Sequence, residues 1–254
     1  MIRNLKTVFA TILIVLFATT SCKKDESNDL NKNDNVKILK MADNSSFERP
    51  IIFEYNTNGQ LTKVTDESDL SESGGLIRRW DITYDDSDKP VKVIESYKDV
   101  NSFYVYTDTT LIEWHSDGFS LINLDDMRYF ENYEPERCFI NNVGQIISDP
   151  YYRYKYFSNE SVYVYNKHDN SLEYKVIFSD KFSPFKNINL ALRYALDGLL
   201  SIGEMEFNPF PYLPSEIYWG WDIVEVFEID EEFNNYPTRI RNLDSDYYIY
   251  FQYQ

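Results

Sequence analysis

The sequence predicts an all-β protein, an antiparallel meander of repeated hairpins curled into an open barrel or clam, with one short helix against it. Residues 51–64, IIFEYNTNGQLTKV, combine an alternating strand, a turn that ends in glycine and a second strand. Residues 80–93, WDITYDDSDKPVKV, repeat this layout. Looser copies follow at a period of about 30 residues, as expected of repeated two-strand units. A two-sheet β-sandwich is the alternative arrangement of the same strands.

The residues of the first two units justify the hairpin interpretation. Alternate side chains of residues 51–55 are apolar, which is the period-2 pattern of a strand. The NTNG turn ends at Gly59, where a positive φ carries no Cβ penalty, and Asp88 takes that place in the second unit. Pro90 has no N–H to give to a neighbouring strand, so we expect a sheet edge or a bulge at that position.

One segment breaks the β pattern. Residues 187–200, NINLALRYALDGLL, are apolar at nearly every turn and predict a short helix buried on most sides. Asn187 or Asn189 can cap its start, and Gly198 is the expected stop. We expect this helix to plug the open end or the concave side of the sheet.

The first residues have the layout of a targeting segment. Arg3 and Lys6 precede an apolar run over residues 8–18, which is too short to span a bilayer, and small residues then lead to Cys22. This resembles a bacterial lipoprotein signal in the relaxed form found in Bacteroidetes, with Thr19 where leucine is usual. The resemblance implies that Cys22 is lipidated and begins the mature chain. The alternative is an ordinary cleaved signal with a coincidental cysteine.

The segment after the cysteine predicts location and domain layout. Residues 23–26, KKDE, resemble the charged signal that sends lipoproteins of that phylum to the outer face of the outer membrane. The expected location is therefore the outer membrane, lipid-anchored and facing the cell exterior. Residues 22–46 have few apolar side chains and predict a flexible tether, so the expected domains are a signal peptide (1–21), this tether and one β-rich domain (47–254).

The chain is acidic, with a formal net charge of −17. Such a field repels nucleic acid, so the expected partners are the membrane, through the lipid anchor, and a glycan or an envelope protein. Cys138 is the second of two cysteines and has Phe139 and Ile140 beside it. It is predicted to be a buried structural thiol rather than a nucleophile.

The hairpin units also resemble a known group. YNTNGQLTKV and YDDSDKPVKV are similar to the YD-type hairpin repeats of Bacteroidetes surface lipoproteins of unknown function, which are related in style to the Rhs YD repeat. Segments at residues 178–187 and 234–240 share the likeness, which spans most of residues 50–254. The resemblance implies a β-hairpin fold and brings no catalytic residue.

The search for catalytic and metal sites finds little. His115 and His168 are the only histidines, and each lies beside a predicted turn without metal-ligand spacing. Asp66, Glu67 and Asp69 match no full calcium loop and are predicted to be solvated. The sequence has no phosphate-binding glycine loop and no GxSxG. We therefore predict no catalytic site, cofactor or metal, and a non-enzymatic protein.

The best candidate for a binding site is the cluster of Tyr218, Trp219 and Trp221 around Gly220. Strand alternation would place Trp219 and Trp221 side by side on one face. Flat indole faces can stack on sugar rings, but packing of both indoles against the helix explains the same pair, and the sequence leaves both interpretations open.

A weaker candidate is a modification site. Asp108, Thr109 and Thr110 resemble the O-glycosylation acceptor of Bacteroidetes envelope proteins, with Thr109 as the acceptor, at an expected bend between two strands. A plain turn is the alternative.

These inferences predict a surface lipoprotein that binds a glycan or another nutrient ligand, or alternatively a structural or protein-partner module of the cell envelope. The two functions predict different surfaces. Binding predicts exposed aromatic side chains in a concavity, whereas an envelope role predicts a flat exposed edge strand or an apolar patch.

Overall fold

The computed structural model describes residues 36–43, 49–68, 75–101, 105–129, 134–196, 199–200, 209–245 and 247–254. The predicted signal peptide, Cys22, Asp69 and Gly198 lie outside the described residues. The described residues form sixteen strands and two short helices. In chain order these are β1 (Ile38–Asp43), β2 (Ile51–Tyr55), β3 (Leu61–Asp66), β4 (Leu76–Tyr84), β5 (Pro90–Asp99), β6 (Val105–His115), β7 (Gly118–Asn123), α1 (Leu124–Tyr129), β8 (Glu136–Ile140), β9 (Ile146–Ser148), β10 (Tyr152–Phe157), β11 (Ser161–Asn166), β12 (Leu172–Phe182), α2 (Leu190–Ala195), β13 (Tyr212–Trp219), β14 (Asp222–Phe233), β15 (Tyr236–Asn242) and β16 (Tyr247–Tyr253).

The strands form one closed antiparallel barrel. Each strand pairs with the next along the chain, and β16 pairs back with β1 through partners such as Met41 and Phe251. The predicted all-β meander and its barrel arrangement are confirmed. Because the ring is closed, the described strands leave no free edge for pairing with another chain.

The closing strand β1 corrects one predicted boundary. It lies inside residues 22–46, which were predicted to be tether, so the barrel begins before residue 47. Ile38 and Met41 are buried in the core, and both pair with residues of β16. This burial and pairing stabilise the strand although the surrounding segment is polar in composition.

The predicted hairpin turns are confirmed at three places, which share one hydrogen-bond pattern. The side-chain oxygens of Asn56, Asp85 and Asn141 each accept backbone N–H groups from the second and fourth residues that follow. The residue two positions before the return strand has a positive φ in each turn, 84° at Gly59, 62° at Asp88 and 80° at Gly144. At the second turn the register shifts opposite Pro90, as expected of a proline at a bulge.

The inside of the barrel is an apolar core rather than a channel. Alternate side chains of successive strands point inward and are almost completely buried. They include Phe53, Val64, Trp80, Val93, Phe119, Cys138, Val162, Val176, Ile217, Ile240 and Phe251.

The connection between β12 and β13 folds back into the barrel and fills it. We call its described residues, 183–196, 199–200 and 209–210, the plug. Aromatic rings of the plug contact strands on different sides of the barrel. The ring centroids are 6.3 Å apart for Phe185 and Phe251 of β16, and 5.7 Å apart for Tyr194 and Phe119 of β7. Leu192 and Leu196 are buried in the same cluster. A buried plugging helix is therefore confirmed, but it spans Leu190–Ala195 and is capped at Leu196, so it is shorter than the predicted residues 187–200 and ends before Gly198.

Polar side chains fix the start of the plug helix α2 and hold it in the barrel. Asn189 is the N-cap, because its side chain accepts the N–H of Ala191 at 2.9 Å. Asn187, the other predicted cap, instead donates to the carbonyl of Val36 at 2.7 Å and so ties the plug to the start of the barrel. The buried guanidinium of Arg193 donates to three backbone carbonyls, and its burial lowers its pKa to about 10.

The second helix, α1, was not predicted. Asn123 caps it by accepting the N–H groups of Asp125 and Asp126, whose carboxylates lie in the first turn, where the helix dipole favours negative charge. The sequence carried this signal, an asparagine followed by acidic residues, but the helix has a single exposed turn and no apolar periodicity.

The outer wall carries charged side chains of both signs. Glu54 pairs with Lys63 on the next strand, Arg79 pairs with Asp81 at 2.6 Å, and Arg239 pairs with acidic side chains of β14. None of the helices within the described ranges is long and apolar enough to cross a membrane.

Candidate ligand-binding rim

The two ends of the barrel differ because a meander alternates its turns. The plug enters between β12 and β13, at one end. The turns before β10, before β12 and before β14 therefore lie together at the other end. All candidate binding residues described below lie at or near this second end.

The hairpin between β13 and β14 places the predicted tryptophans. Trp219 ends β13 and pairs directly with Asp222, the first residue of β14, so Gly220 and Trp221 form a two-residue turn. Gly220 has a φ of 60°, which suits the first central position of a type II′ turn. The prediction that Trp219 and Trp221 lie side by side on one strand face is wrong, because the chain reverses between them.

Both indoles are exposed to solvent. Trp219 is 58% exposed and Trp221 is 75% exposed, so packing against the helix does not explain them. Tyr218 lies on the outer wall, with its ring 4.5 Å from the ammonium of Lys175 and its hydroxyl donating to Glu216 at 2.6 Å. The structure therefore separates Tyr218 from the two tryptophans with which it was grouped.

Tyrosines that sequence reasoning missed continue from Trp219 around the rim. The ring centroids are 6.5 Å apart for Trp219 and Tyr174, 6.3 Å for Tyr174 and Tyr152, and 6.4 Å for Tyr152 and Tyr151. We call Tyr151, Tyr152, Tyr174, Trp219 and Trp221 the aromatic rim. In the sequence these residues share only a position near the ends of strands. They come together through the register of the paired strands, which the sequence does not show.

A buried carboxylate holds one side of the aromatic rim in place. Asp149, just before β10, accepts the N–H groups of Tyr151 and Tyr152 at 2.8 and 2.7 Å. It also accepts the hydroxyls of Tyr154 at 2.5 Å and of Tyr194, in the plug, at 3.2 Å. Burial is the main reason why the pKa values of both hydroxyls are raised. Asp149 thus connects the rim to the plug.

Polar side chains also point inward from β5 and β6, on the side of the barrel across from the aromatic rim. Burial raises the pKa of Glu95, although a hydrogen bond with Tyr97 and the charge of Arg78 oppose the shift. The carboxylate of Asp108 points inward on the neighbouring strand and accepts the side-chain amide of Asn123 at 2.8 Å.

A second carboxylate–amide pair lies nearer the tryptophan hairpin. Glu225 of β14 is buried and accepts the amide of Asn242 at 2.7 Å. Each of these inward carboxylates is therefore held by a neutral or cationic partner.

The outer wall carries a separate groove. A cavity volume of ≈ 380 Å³ lies beside Arg153, Lys155, Tyr165 and Asn170, and Arg153 donates to Asn170. Its basic side chains distinguish this groove from the aromatic rim, where Asp222 faces Trp219.

Thr109 does not lie at a bend. β6 runs without a break from Val105 to His115, and Thr109 pairs with Ile94 in the middle of it, half-buried on the outer wall. The bend prediction is wrong because β-branched threonines continue the strand through Asp108. Glycosylation of Thr109 stays a prediction.

The remaining candidates behave as structural residues. Cys138 is fully buried as predicted, and burial is the main cause of its raised thiol pKa. His115 and His168 are exposed beside turns, as predicted. Asp66 is buried rather than solvated, and its carboxylate accepts the N–H of Ser68 at 2.9 Å. The described residues bring together no group of three or more metal-ligating side chains.

Fold and site together define a closed, plugged β-barrel with a row of aromatic rings on one rim. No protein-family model and no curated protein matches the sequence. Among solved structures, a porin-like protein from Bacteroides uniformis is 8% identical with a TM-score of 0.39, covering 73% of this chain and 93% of that chain. A porin-like protein from Bacteroides vulgatus is 15% identical with a TM-score of 0.34, covering 86% and 99%. At such low TM-scores we draw no conclusion about function from either.

Proposed function

We propose that this protein is a non-enzymatic surface lipoprotein, anchored to the outer membrane through Cys22, whose aromatic rim binds a glycan chain. The observation that carries the proposal is the exposure of Trp219 and Trp221 at the end of a row of tyrosine rings. A buried indole would be explained by packing, whereas exposed indoles leave apolar area in water that a ligand can cover.

The geometry of the rim suits a chain of sugars. Sugar rings have apolar faces of C–H groups that stack on aromatic rings, and hydroxyl edges that hydrogen-bond. Ring centroids recur at 6.3 to 6.5 Å from Trp219 to Tyr151, and the rings are tilted by 34° to 71° relative to one another, so the rim offers successive aromatic contacts to a ligand. The tyrosine hydroxyls add polar groups beside the rings.

The inward carboxylates support a binding role better than a catalytic one. A glycosidase requires two carboxyl groups that flank the scissile bond, one of them free to give a proton and the other to act as base or nucleophile. Here Asp108 and Glu225 lie on β6 and β14, eight strands apart around the ring of sixteen, and a neighbouring asparagine amide donates to each.

The charged outer wall and the apolar core both favour a barrel that lies in water beside the membrane rather than within it. A lipid-facing Lys or Arg at the bilayer midplane costs ~2–4 kcal/mol, and the outer wall carries Lys63, Arg79 and Arg239 with their acidic partners. The plug fills the inside with apolar side chains, which argues against a water-filled transport channel. A lipid on Cys22 would then be the attachment to the membrane.

Glycan binding is tested with full-length protein purified in mild detergent. The protein is applied to a glycan array, and each hit is measured by calorimetry for wild type and for Trp219→Ala/Trp221→Ala. The matched control is Phe233→Ala, which removes an exposed aromatic side chain at the opposite end of the barrel. We expect the double variant to lose binding and the control to keep it. Wild-type protein that binds no glycan on the array would refute the proposal.

A protein partner in the envelope is the second candidate. Ile223 and Leu243 are exposed apolar side chains, 52% and 45%, at the same end of the barrel as Trp221. The edge-strand form of this role is disfavoured because the barrel is closed. A photo-crosslinking residue at position 223 in intact cells tests the idea, which predicts one reproducible protein adduct that a crosslinker at position 233 does not give.

A further inference from the structure

We infer that the glycan bound at the aromatic rim carries free amino groups, so that the ligand is a cationic amino sugar polymer rather than a neutral or acidic glycan. The inference rests on the proposed function, because it concerns the same site and names the chemical class of its ligand. Two features carry it: an exposed carboxylate directly opposite an exposed indole, and the sign of the net charge of the chain.

The carboxylate is Asp222. It pairs directly with Trp219 across the hairpin, and directly opposite residues of an antiparallel pair point to the same face, with Cβ atoms about 4.5–5.5 Å apart. Asp222 and Trp219 are both exposed, so one ligand group can contact the indole face and the carboxylate together. The type II′ turn at Gly220 holds this arrangement, and the N–H of Gly220 donates to the carbonyl of Glu173 at 2.8 Å.

Two of the described lysines lie near the rim: Lys167 at its far end from Trp219, where the ammonium donates to the carbonyl of Asp149 at 2.7 Å, and Lys175 on the other face of the strand beside Trp219. Lys175 pairs with Tyr218 on the outer wall, with its ammonium 4.5 Å from the tyrosine ring. Since successive residues of a strand point to opposite faces, Lys175 does not neutralise the carboxylate beside Trp219. The whole chain adds a field of the same sign as Asp222, since its formal net charge is −17.

An ammonium group can interact favourably with both the indole of Trp219 and the carboxylate of Asp222. A cation over the face of an indole is attracted by the ring quadrupole, and tryptophan is the best aromatic side chain for this contact. The same ammonium can pair with Asp222. A uronic acid or a sulfated sugar would instead bring a negative charge toward Asp222 and toward an acidic protein, which is unfavourable. An acetylated amine has no charge and loses both attractions.

Three oligosaccharides of equal length and β1,4 linkage separate these ligand classes: a glucosamine oligomer with free amines, its fully N-acetylated form and a glucose oligomer. Calorimetry at physiological salt compares them on full-length wild type, on Asp222→Asn and on the matched control Asp86→Asn. Asp86 is an exposed acidic residue in a turn at the opposite end of the barrel. The Trp219→Ala/Trp221→Ala variant is measured alongside.

For wild type we expect the glucosamine oligomer to bind about tenfold more tightly than the acetylated form. Asp222→Asn should remove most of this preference, and Asp86→Asn, which lies outside the site, should change neither affinity. Loss of glucosamine binding in the tryptophan variant would support the site assignment.

Three results would overturn the inference. Equal affinity of wild type for all three oligomers would refute the charge preference while leaving glycan binding intact. Preference for the glucosamine oligomer that persists in the tryptophan variant would assign it to general attraction by an acidic surface. Failure of all three oligomers to bind, in a protein that binds another glycan on the array, would refute the amino sugar alone, whereas failure of every glycan would refute the proposed function as well.

Discussion

The exposure of the rim tryptophans predicts a small loss of stability on truncation, and Trp80 provides an internal comparison. Trp221 is 75% exposed, so about a quarter of its side chain is covered. A fully buried aromatic side chain removes roughly 150–250 Å² from water, so this share is about 50 Å². At about 25 cal/mol per Å², Trp221→Ala should lower the free energy of unfolding by ~1 kcal/mol.

Trp80 lies in the core and is 3% exposed. Trp80→Ala should lower the free energy of unfolding by ~3–5 kcal/mol, because it removes a buried indole and leaves a cavity. For a domain of this size each kcal/mol shifts Tm by about 2–4 °C. We therefore expect a loss of about 2–4 °C for Trp221→Ala and of roughly 6–20 °C for Trp80→Ala, measured by calorimetry on the full-length protein.

The comparison can refute the structural basis of the rim. If Trp221→Ala lowers Tm as much as Trp80→Ala, the indole of Trp221 is packed in the folded protein and is not available to a ligand. If Trp80→Ala has no effect, the inward side of β4 has been assigned wrongly.

Three further predictions concern buried polar groups. Asp149→Ala removes the buried carboxylate that accepts the hydroxyls of Tyr154 and Tyr194, so denaturant unfolding should show a loss of ~2–5 kcal/mol, and a loss below about 1 kcal/mol would contradict the network. Because the pKa of Glu95 is raised in the folded protein, its contribution to stability is present below the ordinary value of 4.5 and is lost as pH rises through the folded pKa. The stability of Glu95→Gln relative to wild type should therefore be higher at about pH 7 than at about pH 4, and equal differences at both would contradict the burial of Glu95. The pKa of Tyr97 is raised to about 12, mainly by burial. Wild type and Tyr97→Phe are titrated by ultraviolet absorbance, and the difference between the two curves should show one phenol that ionises near pH 12 rather than near 10.

Local patterns in the sequence were sufficient to predict the hairpins and the plug. The turn around Asn56 depends on contacts within five residues, and its asparagine and glycine are visible in the sequence. The plug helix is short and apolar all round, which predicts burial wherever it lies. Closure of the barrel depends instead on pairing between β1 and β16, at opposite ends of the described chain. No local pattern reports that contact.

The site was predicted less well than the fold, for a reason of register. The faces that Trp219 and Trp221 occupy depend on whether the strand continues through Gly220 or turns there. A shift of one residue along a strand moves each side chain to the opposite face. The tyrosines of the aromatic rim come from β10, β12 and the turn before β10, and only the pairing of those strands brings them beside Trp219. Such contacts follow from the closed sheet and cannot be inferred from spacing along the chain.

Tryptophan fluorescence offers the most direct test of glycan binding at the aromatic rim. The protein has 4 tryptophans, and Trp219 and Trp221 lie on the rim, while Trp80 lies in the core and Trp114 is partly buried with its indole N–H donating to the carbonyl of Pro90. Titration of full-length protein with the glucosamine oligomer, and with each glycan that binds on the array, should give a saturable shift of emission to shorter wavelength as a sugar covers the rim indoles. The shift should be absent in Trp219→Phe/Trp221→Phe. A glycan that binds by calorimetry without changing the emission, or a shift that survives in the double variant, would contradict the assignment of the rim as the binding site.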